Sequence, residues 1–261
     1  MSVGECMKAN YVIFLALAIC AQSSLLAQTK GSAGSAQTPV VQVPFVGCKS
    51  DGQVGPEQAP SGKSKAVPIR ADLARQLAYY KTEQGLGVLA PRGWHCFGTY
   101  GSGGTALYVS PQPITAANLF SATWGFAGPV IEIVYELGDT SGRFGVASVI
   151  ARVFPAHKAF ANRVINEGIE PASSFPFGPY PGDKLTYKSN EVVEYQTPAE
   201  TVGLGTDPLV RKGADPISGV AILVGDTPDL LLLSARLPSK LTQLTPAIIQ
   251  QVEREAVRSS P

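Results

Sequence analysis

Apolar positions alternate most cleanly in VIEIVYEL (130–137), with Ile131, Ile133 and Tyr135 on one side of the chain and Glu132 and Glu136 on the other. A period of two marks a strand with one face buried, so this segment is read as a β-strand. Trp94–Tyr100 and Thr105–Ser110 read as two further strands, joined by a turn at Gly101–Gly104. Leu185–Lys188 and Glu191–Thr197 read as a hairpin over Ser189-Asn190. The apolar runs Ile217–Val224 and Leu230–Arg236, either side of a turn at Gly225–Pro228, make the best-defined hairpin of the chain.

Helical spacing is strongest at Ala71–Gln84, where Leu73, Leu77 and Tyr80 fall on one face and Gly85 supplies a stop. Shorter helices are predicted at Ile114–Ser121, Phe144–Phe154 and His157–Asn166, with a break near Pro155, and a last one at Pro246–Val257. These elements predict a single α+β domain over 67–261, an antiparallel sheet of six or seven strands with helices packed on it. Residues 28–66 are rich in Gly, Ser, Pro and Gln and read as a leader. Only Val40–Cys48 within it alternates enough for a short extended piece.

The N-terminus changes the expected location. One basic residue, Lys8, precedes an apolar core at Tyr11–Ile19, and small residues follow to Ala27. That is the layout of a secretory signal peptide over 1–27, and its core is far short of the roughly 20 residues a spanning helix needs. Cys20 directly after the core raises lipid attachment, but Ile19 stands where the peptidase wants a small residue. The expected mature protein is periplasmic or secreted, with no membrane span after removal of the signal.

That compartment bears on the cysteines. Cys6 and Cys20 leave with the signal, and Cys48 and Cys96 remain. In an oxidising environment such a pair is expected to form one disulfide. The competing reading is a free catalytic thiol activated by a neighbouring base, for which the adjacent His95 points to the opposite face of a strand.

Composition narrows the classes. With 21 Lys and Arg against 20 Asp and Glu, and no basic run, the chain has no electrostatic footprint for nucleic acid. Its 27 glycines and 21 prolines suit a loop-rich body. Nothing in the pattern calls for a cofactor. Metal binding has two distant histidines, His95 and His157, without ligand spacing. The turn aspartates, Asp207 among them, show no calcium-loop spacing.

Candidate chemistry is thin. YGSGG (100–104) resembles the GDSGG nucleophile loop of chymotrypsin-like proteases, but departs from it at Tyr100 and Gly101, and His95 lies only a short step before Ser102. No lysine follows Gly104 to make a phosphate loop. His95, Ser102 and His157 remain the candidate catalytic residues. Glu132 and Glu136 share a strand face about 13 Å apart, further than a glycosidase pair requires. Phe175, Phe177 and Tyr180, interleaved with prolines in SFPFGPYPG, are the candidate ligand-binding residues, as an aromatic edge or as cover for the core.

The order of helix, Pro-x-Gly-Trp strand, hairpin, apolar hairpin and terminal helix is similar in outline to the PsbP/Mog1-like sandwich. From Val43 onward the blocks VPFVGCKSDGQ (43–53), VLAPRGWHCFGTYGSGG (88–104) and FPFGPYPGDKLTY (175–187) resemble a family of exported Gram-negative proteins to which no activity is attached. The resemblance implies export and brings no cofactor or catalytic residue. The expected function is a non-catalytic binding or accessory module of the envelope, its partner an unknown protein or small molecule. The alternative is an exported hydrolase whose site is assembled from distant residues.

Overall fold

The computed structural model describes residues 38–259, so the segment 1–27 read as a signal peptide and the start of the segment read as a leader lie outside the described residues. From Thr38 onward the chain forms one compact α+β unit. Its centre is an eight-stranded sheet in the order β2-β6-β7-β8-β12-β11-β10-β9. The strands are β2 (Ser50–Gly52), β6 (His95–Gly101), β7 (Gly104–Ser110), β8 (Val130–Glu136), β9 (Lys184–Tyr187), β10 (Val192–Thr197), β11 (Ile217–Val224) and β12 (Asp229–Arg236). All neighbours are antiparallel except β2 and β6. The seven strands expected from periodicity are the seven from β6 to β12 apart from small differences at their ends.

A second sheet was not expected. It is four-stranded, in the order β3-β1-β4-β5, from β1 (Val40–Gly47), β3 (Ser64–Pro68), β4 (Leu77–Lys81) and β5 (Val88–Pro91). The body therefore begins inside the segment read as a leader. β1 pairs antiparallel with β3 and parallel with β4, while the chain continues past Cys48 into β2 at the edge of the large sheet.

The predicted helix over 71–84 is corrected. Helix α1 covers only Ala71–Ala74, and β4 follows. Leu77, Ala78, Tyr79 and Tyr80 are all buried, so β4 shows no polar face and no period of two. Its Leu and Ala content favours a helix locally, and the pairing with β1 and β5 overrides that preference. Arg92 closes the break between helix and strand, its guanidinium donating to the carbonyls of Ala74 and Leu77 at 2.9 Å each.

The remaining helices are α2 (Ala116–Leu119), α3 (Arg143–Val153), α4 (Lys158–Asn166) and α5 (Thr245–Ser259), close to expectation. Two apolar cores lie on opposite faces of the large sheet. One joins Ile131, Ile133, Leu231 and Leu233 to the second sheet and to Ile248 and Val252 of α5. The other joins Val193, Ile217 and Leu230 to Val146 and Ile150 of α3 and Phe160 of α4.

Cys48 and Cys96 form a disulfide, with Cα atoms 5.5 Å apart. It ties the corner between β1 and β2 to β6 and closes a loop of sequence separation 48, which stabilises by roughly 2–4 kcal/mol. The Ser102-Gly103 turn joins β6 to β7. Gly104 there adopts φ +144°, and a Cβ on it would stand 2.0 Å from the Tyr135 carbonyl oxygen, so only glycine fits. No helix among the described residues is long and apolar enough to cross a membrane.

Candidate functional site

The alternation that makes β8 a strand also decides where its acidic side chains go. Ile131 and Ile133 point into the core beneath α5, which sends Glu132, Val134 and Glu136 to the opposite face, under α3. Leu107 and Val109 likewise turn Ala106 and Tyr108 to the α3 side on β7, and on β12 Leu230, Leu232 and Ser234 line the same face. Glu132 thus lies on a covered face of the sheet, in register between Tyr108 of β7 and Ser234 of β12.

Helix α3 does not close tightly over these strands. The side it presents carries Gly145, Ser148, Val149 and Arg152, and a cavity of about 720 Å³ remains between helix and sheet. The segment Leu204–Pro208 forms a further wall, Tyr180 contributes an aromatic ring, and the β6–β7 turn with Ser141 and Gly142 borders the same space. A Cβ at Gly145 would lie 2.1 Å from Glu136 Oε2, so the glycine is what lets α3 approach that carboxyl.

Three carboxyl groups line the cavity, Glu132, Glu136 and Asp207, against one cation, Arg152. Glu132 is 2% exposed, and its Oε1 receives no hydrogen bond from the protein. Burial pushes its carboxyl well above the usual range. The charge of Asp207, whose carboxyl stands within reach of a shared proton, pushes the same way, and the Tyr108 phenol opposes the shift. Tyr108 is itself held well above an ordinary phenol, first by burial and then by the charges of Glu132 and Asp207. Glu136, half-buried, is pushed up to about 7 by burial.

Asp207 is held by its own turn. Its Oδ1 accepts the backbone N–H of Leu209 at 2.6 Å and that of Val210, an arrangement that suits aspartate in turns. Upstream, Asp183 fixes the same loop, accepting from Thr197 Oγ1 at 2.8 Å and from the N–H of Leu204 at 2.7 Å. Downstream, Val210 bridges to Phe126. The buried Arg236 then donates to the carbonyls of Phe126 and Gly128 at 3.2 Å and to that of Arg211. The turn reading of Asp207 is correct, and the same turn aims its carboxyl at Glu132.

The expected site residues are scattered. His95 is exposed on β6 and lines no part of the cavity. His157 stands outside it too, with Nε2 3.7 Å from Glu191 Oε1. Ser102 is at the turn, its Oγ 3.2 Å from Ser141 Oγ and its N–H donating to Gln53 at 2.9 Å, with neither histidine beside it. Cys96 is in the disulfide. Phe175 is buried in the core beneath α3, while Phe177 is 46% exposed with the Lys158 ammonium 4.7 Å from its ring centre. Tyr180 alone of the three aromatics lines the cavity, with Arg152 stacked 3.9 Å from its ring centre. Among the described residues no cluster of three or more His, Cys, Asp or Glu is arranged to hold a metal ion.

In the sequence, Glu132 and Glu136 share a strand face at a spacing too wide for an acid/base pair, and Asp207 carries only the signature of a turn residue. The available signal was Glu132 itself, an acidic residue on a strand whose two neighbouring strands carry apolar residues on both faces. Compared with known proteins, the chain matches no family model, and no curated protein or solved structure is significantly similar to it.

Proposed function

We propose that the protein is an exported, non-catalytic binding module whose ligand is a small molecule seated in the cavity between α3 and the large sheet. The observation that carries this reading is Glu132, a residue lining a cavity large enough for a ligand, with one carboxyl oxygen buried and without a protein donor. A buried polar atom left unpaired costs about 1–3 kcal/mol, a cost a fold offsets when a ligand supplies the partner. Apolar walls with a few convergent polar groups are the ordinary make-up of small-molecule sites. Export is supported by the signal-like N-terminus and the disulfide.

A hydrolase remains the second reading because a carboxyl raised by burial and by Asp207, as Glu132 is, has the make-up of a general acid. Neither histidine lines the cavity, so acid–base chemistry there rests on the carboxyls alone. Turnover abolished by Glu132→Gln is the outcome that would favour it.

The binding reading is tested by thermal-shift screening of a chemically diverse panel of polar small molecules against the protein and its Ser148→Trp variant. The indole fills the space under α3. At least one compound should raise the midpoint of the protein and leave the variant unmoved. A panel in which every hit shifts both proteins equally contradicts a ligand in this cavity.

A further inference from the structure

The cavity's polar groups are unequal in number and in kind, and that restricts what they bind. The groups facing Glu132 are Tyr108 from β7, Tyr195 from β10, Asp207 from the loop, Glu136 on its own strand and Arg152 across the cavity on α3. Tyr195 is occupied with Ser234 and the Leu233 carbonyl at 2.8 and 2.9 Å. Arg152, the lone cation, donates to the Gly178 carbonyl at 3.2 Å and stacks on Tyr180. What remains is a surplus of carboxyl oxygen, with Glu132 Oε1 buried and lacking a donor. An anion meets repulsion from these carboxyls, and a neutral acceptor, although hydroxyls such as Ser148 and Thr206 line the same space, supplies no donor for Glu132 Oε1.

We propose that the cavity selects a small organic ammonium, its N–H groups seated between Glu132 and Asp207 and its apolar body against Val134, Val149 and Leu232. The inference rests on the reading of this cavity as the binding site and deepens it by naming the ligand class. Without ligand, a proton on the buried Glu132 is what relieves its repulsion with the more exposed carboxyl of Asp207 beside it. An ammonium supplies both positive charge and donors, so it replaces that proton: R–NH3+ and Glu132–COOH become R–NH3+ against Glu132–COO−, with one proton released to the buffer. Binding is then linked to pH. Affinity rises as pH rises through the raised pKa values of the cavity carboxyls, and falls in acid, where protons compete for the same oxygens.

Titration calorimetry with the disulfide-intact protein tests this with three probes of similar shape. Benzylammonium carries charge and N–H donors, benzyltrimethylammonium carries charge without donors, and benzyl alcohol is neutral. Benzylammonium is expected to bind at least about tenfold more tightly than either relative near pH 8. Its apparent enthalpy should change with buffer ionisation enthalpy as proton release requires, and its affinity should drop about tenfold or more near pH 5. Glu132→Gln, which keeps the shape, should lose that preference and the proton release; an unchanged melting cooperativity shows that the variant is folded.

Benzyl alcohol binding as tightly as benzylammonium, and lost in Ser148→Trp, overturns cation selection while leaving the cavity as the binding site. Binding of benzylammonium without proton release and unaffected by Glu132→Gln overturns the assignment to Glu132. If none of the three probes binds, the cation inference fails, and the diverse panel above separately decides the cavity reading.

Discussion

Glu136 sits half-buried with its carboxyl against Gly145, and burial lifts it from the ordinary glutamate value to about 7. A carboxyl whose folded pKa lies above its unfolded one binds protons more readily in the native state. Stability is therefore greatest below the unfolded value and falls as pH rises through the window from about 4.5 to about 7. Glu132 is shifted in the same direction by burial and by Asp207, so the two losses run together. Replacing Glu136 with glutamine should remove its share, on the order of 1–2 kcal/mol after allowance for partial exposure. Melting curves across that window should slope less in Glu136→Gln than in the parent protein, and equal slopes would mean the carboxyl titrates normally. At this scale the letters that suggest chemistry in the sequence, His95, Ser102 and His157, lie apart, because reactive residue types say nothing of distance. Glu132 and Glu136 were legible as neighbours on one strand face. Their burial was not, since it depends on α3 covering that face from elsewhere in the chain.

Among the elements, strands with one polar and one apolar face were legible, and strands buried on both faces were not. β8 and β10 announce themselves by alternation, whereas β4 reads as a helix because Leu77, Ala78, Tyr79 and Tyr80 leave no polar side to mark the period. β2, β3 and β5 are short; β2, β3 and β3's partner β1 fall wholly or partly in the Pro- and Gly-rich region that composition alone reads as a linker, while β5 pairs with β4, which itself reads as a helix. The site-forming loop Leu204–Val210 shows the same limit: it has no periodicity, and what fixes it is Asp183 on one side and Arg236 on the other. Arg236 is 1% exposed, and its guanidinium holds three backbone carbonyls from two separate segments. Arg236→Met keeps much of the volume and removes the guanidinium from the Gly128 and Arg211 carbonyls, while that of Phe126 keeps the Arg211 N–H, each such loss costing on the order of 1 kcal/mol or more. Denaturant unfolding should show a loss of about 2–4 kcal/mol. Hydrogen exchange should speed up in 204–211 ahead of the sheet. A variant as stable as the parent would show that the loop is held by other contacts.

In the whole molecule, two cores on opposite faces of one sheet divide the work. The face beneath α5 and the second sheet is continuous apolar packing, with the disulfide tying the two sheets together. The face beneath α3 and α4 is apolar around its margin and open in the middle, where Glu132 stands beside Asp207 and Glu136 lines the same space. Natural cores rarely leave a carboxyl oxygen without a donor, and here the exception coincides with the cavity. The general α+β layout was legible because it follows from local periodicity. The second sheet and the cavity were not, because both arise from contacts between segments far apart in sequence. The central claim is that Glu132 holds a proton that a ligand ammonium displaces. Carbon-13 NMR of glutamate side-chain carboxyls reads that proton directly. In the ligand-free protein at neutral pH one glutamate signal, absent from Glu132→Gln, should have the shift of a protonated acid and should move to that of a carboxylate on addition of benzylammonium. A Glu132 signal already that of a carboxylate without ligand, or one that benzylammonium leaves protonated, would contradict it.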